Sequence, residues 1–135
     1  YKFCQNLAKK YNIYLSAGSI PEKDAQNHLF NTAYVFDNNG NCIAKHRKMH
    51  LFDIDVKNGQ RFKESDTLSA GNSITVFDTK WGKNGDCAFC YDFRFPELAR
   101  LMVDLGAKNY PCSRCFQYDH RPTSLGIIIP KSCCR

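Results

Sequence analysis

The chain opens with a helical pattern. Residues 1–11, YKFCQNLAKKY, place Phe3, Cys4, Leu7, Ala8 and Tyr11 at helical spacing, which predicts the end of an amphipathic helix. The mostly apolar run IYLSAGSI, residues 13–20, predicts a strand that Pro21 stops. Two further runs, 32–36 and 42–46, flank Asn39-Gly40 and predict a hairpin. Residues 49–72 carry polar and glycine punctuation and predict a long loop. SITVFDT, residues 73–79, predicts another strand, WGKNG a turn, and 86–90 a short strand ending at Cys90. After it comes the clearest helix: Pro96 suits a first helical position, Leu98, Leu101, Met102 and Leu105 recur at i, i+3, i+4 and i+7, and Gly106 suits the exit. Short strands with helices before and after them predict a layered α/β fold.

Composition narrows this little. At 135 residues, 43% hydrophobic and 24% charged, the chain is expected to fold as one domain with a modest core. No apolar run approaches the roughly 20 residues of a membrane helix, so no membrane span is expected. The net charge of +6 raises the question of nucleic acid, but its distribution argues against it. Residues 1–108 hold 15 Lys and Arg against 12 Asp and Glu, and the short remainder holds four basic groups against one acid. The body has no basic stripe of the kind phosphate binding needs. Four of the eight cysteines also fall after residue 108. The body therefore reads as a reduced, cytoplasmic domain.

The chemistry centres on DCAFCYDFRFPEL, residues 86–98. Cys87-x-x-Cys90 and Cys112-x-x-Cys115 form two pairs that could complete a tetrahedral thiolate zinc site in a non-catalytic module. Against that, the 21 residues between the pairs include a whole amphipathic helix, where zinc ribbons usually place hairpins. Alternatively, Cys90 is a nucleophile. A thiol where a strand gives way to a helix is exposed to substrate, and helix N–H groups with a nearby cation favour its thiolate. Such a thiol needs a base and an oxyanion stabiliser. Lys48, directly after a strand and before an apolar stretch, is the candidate cation; otherwise it is a solvated member of the cluster Lys45-His46-Arg47-Lys48. His46 and His50 could serve a Cys-His pair, although histidines near strand ends are more often structural.

Three stretches converge on a family. HRKMHLFDIDV, FKESDTLSAG and CYDFRFPELARLMVDLGAK, in that order, resemble the nitrilase, or carbon-nitrogen hydrolase, superfamily, and within it the omega-amidase branch. The resemblance covers residues 1 to about 108. It implies part of an α-β-β-α sandwich, incomplete at both ends, from an enzyme that assembles as a homo-oligomer. It also implies hydrolysis of small amide substrates by a Cys-Glu-Lys triad with no metal or other cofactor. Carried over by motif, Cys90 is the nucleophile, Lys48 stabilises the tetrahedral intermediate, and Glu64 is a second glutamate beside that lysine. The backbone N–H of Tyr91 is the other oxyanion donor.

The sequence departs from the family pattern in three places. The family's general-base glutamate lies on an early strand upstream of the region that Tyr1 enters, and Glu22 is in the wrong motif to replace it. Gly85 is five residues before Cys90, where the family has a glycine four before, and Asp86 puts a charge into an apolar strand. The third departure is the tail, 109–135. Family members continue with a strand ending in YP, an FN…TTG stretch and an RAVDN-like helix. Plausible codons for residues 116–135, read one base later, give FNMTTGLHLWELLFQNRAV, which follows that continuation. Residues after about 108 are accordingly expected to be out of frame. The chain as written is then an inactive fragment, and Cys112, Cys115, Cys133 and Cys134 are by-products of the wrong frame.

Overall fold

The computed structural model describes residues 1–55, 61–85 and 91–110. Helix α1, Lys2–Tyr11, ends at Asn12 in the left-handed conformation, φ 54°, a geometry asparagine tolerates better than most residues. Of its expected apolar face only Ala8 is fully buried, and Phe3 is 75% exposed. Strands β1, Leu15–Lys23, β2, Leu29–Phe36, and β3, Cys42–Arg47, form an antiparallel sheet in that order. The expected hairpin is β2–β3, and Gly40 in its turn has φ 83°, a value glycine adopts without steric cost. Pro21 does not stop β1: it pairs with Asn31, and the ladder continues to Lys23↔Leu29. The proline is tolerated because β1 is an edge strand among the described residues.

The expected loop 49–72 contains a small hairpin, β4, Asp53–Asp55, with β5, Arg61–Lys63, followed by a 3-10 turn at Glu64–Asp66. Strand β6 begins late, at Val76, and runs to Thr79. WGKNG is only partly a turn: Gly82–Gly85 forms β7, antiparallel to β6. The expected strand 86–90 lies outside the described residues.

Helix α2 spans Pro96–Asp104. It ends as expected at Gly106, φ 92°. The Gly106 N–H donates to Val103 O at 2.7 Å and the Ala107 N–H to Met102 O at 2.9 Å, a Schellman motif. Leu98 and Met102 are buried with Ala107 against Met49, Ile74, Val76 and Tyr110, whereas Leu101 and Leu105 remain half exposed. Gly85 lets α2 approach β7, since a Cβ there would lie 2.7 Å from Met102 Sδ. A second cluster, Val35, Ala44 and Phe77, joins β2 and β3 to β6. Helix α1 lies against β1 and β2, and α2 against β7, so helices flank the strands as the α/β expectation required. No helix among the described residues is long and apolar enough to cross a membrane.

Candidate active site

Lys48 follows the end of β3 and is buried, at 5% exposure. Its backbone is held on both sides: its N–H donates to Asn31 O at 2.8 Å, and its C=O accepts from the Gly71 N–H at 2.7 Å. Gly71 makes this approach possible, because a Cβ there would lie 2.3 Å from Arg47 O. The ammonium Nζ lies 2.5 Å from Glu64 Oε2. That oxygen also accepts the Phe52 N–H at 2.8 Å. The β4–β5 hairpin and the 3-10 turn after it bring Glu64 back to Lys48 across 16 residues. A buried charge is tolerated only when paired and hydrogen-bonded, and both conditions hold here.

The chain beyond Lys48 is fixed from the other side by Asp92, 1% exposed. Asp92 Oδ1 accepts the His50 N–H at 2.7 Å and lies 2.6 Å from His50 Nδ1. Oδ2 accepts the Met49 N–H at 3.4 Å and lies 3.7 Å from His46 Nε2. Burial pushes the Asp92 carboxyl up, but His46, the His50 amide and ring, and the Met49 amide outweigh it. The carboxyl is therefore held below its ordinary range. His50 stacks on Phe95 with ring centroids 3.7 Å apart. His46 is fully buried, with Nδ1 3.0 Å from Thr75 Oγ1.

Tyr91 and Asp92 open the 3-10 turn Asp92–Arg94 that leads into α2. The Tyr91 ring packs edge-on against Phe52 and Phe95, at 5.1 and 5.5 Å. Lys48, Glu64 and the Tyr91–Asp92 turn thus converge around Phe52 and the 48–50 segment. Cys90 and Cys87 lie outside the described residues, as do Cys112 and Cys115 of the zinc alternative.

Glu22 lies elsewhere, on the sheet face that carries Lys45 and Arg47. Its carboxylate contacts Arg47 Nη2 at 2.7 Å, Lys45 Nζ at 2.5 Å and the Thr32 hydroxyl at 2.7 Å. The sequence pattern assigns Asp92 no role. An acid set between two aromatic residues, Tyr91 and Phe93, where burial obliges it to find donors, is the signal that could have marked it.

The carbon-nitrogen hydrolase family model matches residues 1–123. Omega-amidase NIT3 of Saccharomyces cerevisiae is 50% identical over 107 residues, covering 78% of this chain and 36% of that protein. Nitrilase homolog 2 of Dictyostelium discoideum is 53% identical over 108 residues, covering 79% of this chain and 33% of that protein. The solved structure of S. cerevisiae Nit3, a member of branch 10 of the nitrilase superfamily, superposes with TM-score 0.74 at 42% identity, covering 87% of this chain and 40% of that one. The C. elegans NitFhit protein superposes with TM-score 0.71 at 33% identity, covering 83% of this chain and 28% of that one. The chain thus spans about a third of the length of the relatives it matches. With one family model across most of its length, relatives at half identity and a shared fold, the chain belongs to the carbon-nitrogen hydrolase family.

Proposed function

We propose that this chain is the central portion of an omega-amidase-like hydrolase. The whole enzyme converts small ω-amides of dicarboxylic acids to the carboxylate and ammonia. Cys90 is the nucleophile. Its thiol gives up a proton to a general-base glutamate, and the sulfur attacks the amide carbon. Lys48 and the Tyr91 N–H stabilise the oxyanion; the C–N bond then breaks and ammonia leaves with a proton. Water hydrolyses the thioester and restores the thiol. Glu64 holds the Lys48 ammonium in place. The observation that carries the reading is the buried Lys48–Glu64 pair at 2.5 Å, beside the turn that follows Cys90 in sequence.

Neither Glu22 nor Glu64 suits the general base. Glu22 is committed to Arg47, Lys45 and Thr32, and Glu64 to Lys48 and Phe52. The 135-residue chain by itself is therefore expected to show no turnover above a Cys90→Ala control. We propose further that residues after about 108 are read out of frame, which the nucleotide sequence around codon 108 tests directly.

In a full-length enzyme with the frame restored, ammonia release from a monoamide of a dicarboxylic acid should be abolished by Cys90→Ser. Limiting iodoacetamide should label Cys90 first and leave Cys87 among the least labelled, with or without a chelator. Equal protection of Cys87 and Cys90, lifted by the chelator, would replace the nucleophile with the zinc alternative.

A further inference from the structure

Asp92 is the one carboxylate among the described residues that ties the Lys48 segment to the turn carrying Tyr91. Its bonds run back 42 and 43 residues along the chain, to the amides of His50 and Met49. Those two residues directly follow Lys48. Asp92 itself directly follows Tyr91, and its carbonyl accepts the Phe95 N–H at 3.1 Å, closing the 3-10 turn. One side chain therefore joins the two segments from which, on the reading above, the oxyanion is stabilised. The joint is buried: Asp92 is 1% exposed, and His50, its closest partner, is stacked flat on Phe95.

We infer that Asp92 is a positioning residue that sets the spacing between the Lys48 ammonium and the Tyr91 N–H. This rests on the proposed roles of those two groups. The carboxylate touches neither the substrate nor the reacting atoms. It works through the backbone on both sides, so its loss lets the 48–50 segment shift relative to the 91–95 turn. Donors aimed at a developing oxyanion are sensitive to such shifts; a displacement of about 1 Å can cost on the order of a hundredfold in rate. Ground-state substrate binding, which does not depend on the developing charge, is affected far less.

The test compares Asp92→Asn, Asp92→Ala and Lys48→Ala in the full-length enzyme. Asn keeps one acceptor oxygen for the His50 N–H and Ala keeps none, so kcat should fall about tenfold for Asn and about a hundredfold for Ala, with KM within a few-fold. The second readout is an aldehyde analogue of the substrate. The Cys90 sulfur adds to its carbonyl carbon; the thiol proton passes to the general-base glutamate where the site holds the oxyanion, and ends on the oxygen where it does not. Its affinity should fall by the same factor as kcat. Rates are normalised to the folded fraction measured by circular dichroism. Folded Asp92→Ala with near-normal kcat would overturn the inference, as would a kcat loss with unchanged aldehyde affinity. Near-normal kcat in Lys48→Ala would instead overturn the assigned cation, whatever the Asp92 variants do.

Discussion

Arg47 and Lys48 are neighbours in sequence, both cations, and each is paired with one glutamate; their surroundings differ in almost every other respect. Arg47 ends β3 and points to the sheet face where Glu22 sits. Its side chain is 29% exposed, and its guanidinium lies 3.8 Å from the Phe30 ring centroid. Lys48 is one residue further on, its side chain is 6% exposed, and its partner arrives from a separate hairpin. Successive side chains of an extended chain point to opposite sides, so the single step from 47 to 48 takes a cation from a part-exposed position to a buried one. The Arg47–Glu22 pair is multivalent and its cation is part-exposed, which suits a modest contribution to stability. The Lys48–Glu64 pair is a desolvated ammonium held in one place, which suits action on a developing negative charge.

The sharpest way to break this contrast is to remove the two cations in turn from the full-length enzyme. Lys48→Ala should lower kcat on the order of a hundredfold or more. Arg47→Ala should leave kcat within a few-fold once normalised to folded protein. Comparable losses in the two variants would dissolve the distinction.

The next largest effect is expected at Gly71, where the two regions share a support. A Cβ there would meet Arg47 O at 2.3 Å and Arg47 Cβ at 2.8 Å, and the same residue's N–H holds the Lys48 carbonyl. Backbone cannot yield as the tip of a side chain does, so Gly71→Ala should destabilise by about 1–3 kcal/mol, measured as a lower denaturation midpoint. It should also lower turnover, by shifting Lys48. An unchanged midpoint with unchanged turnover would show that the end of β3 moves freely.

Much of the local fold was legible because its signals are local. Asn39-Gly40, Pro96 and Gly106 each announce a backbone geometry with few alternatives, and the elements they bound were found. Pro21 misled because a proline's effect depends on whether its missing N–H would face a partner, and edge position is a property of the whole sheet. The β4–β5 hairpin and β7 were missed for a related reason: each is too short to show a period, and β7 is built from Gly82, Lys83, Asn84 and Gly85. Leu101 and Leu105 fit the helical period yet stay half exposed, since a period predicts a face and not what covers it. At the site, nothing in the spacing of Lys48 and Glu64 brings them together. Their pairing came from the resemblance, and the hairpin accounts for it. Asp92 was passed over because its partners, the Met49 and His50 amides and the His46 and His50 rings, lie more than 40 residues away, and the amides among them are not displayed by a sequence.

The smallest effect expected separates the two pairs by pH. The Arg47 guanidinium, against the opposing effect of burial and with help from Lys45 and Thr32, holds the Glu22 carboxyl down at about 2, from an ordinary value of 4.5. A carboxyl lowered on folding adds stability that is fully present above the unfolded value and is lost as pH falls through the folded one. The Glu22 contribution is therefore complete above about pH 4.5 and disappears between there and about pH 2. Solvent screens this network, so its worth is on the order of 1 kcal/mol rather than the larger figure the full shift would imply. Glu22→Gln should lower the denaturation midpoint slightly at pH 7, and the wild-type and variant curves should converge as pH approaches 2. Turnover at neutral pH should not change, because Glu22 lies on the Lys45–Arg47 face and contacts neither Lys48 nor Asp92. The two proteins would be compared by urea denaturation at a series of pH values, with ammonia release assayed in parallel at neutral pH. A stability difference that persists undiminished at pH 2 would show that Glu22 acts by packing rather than by charge. A turnover loss in Glu22→Gln beyond its loss of folded protein would join the two networks that the comparison separates.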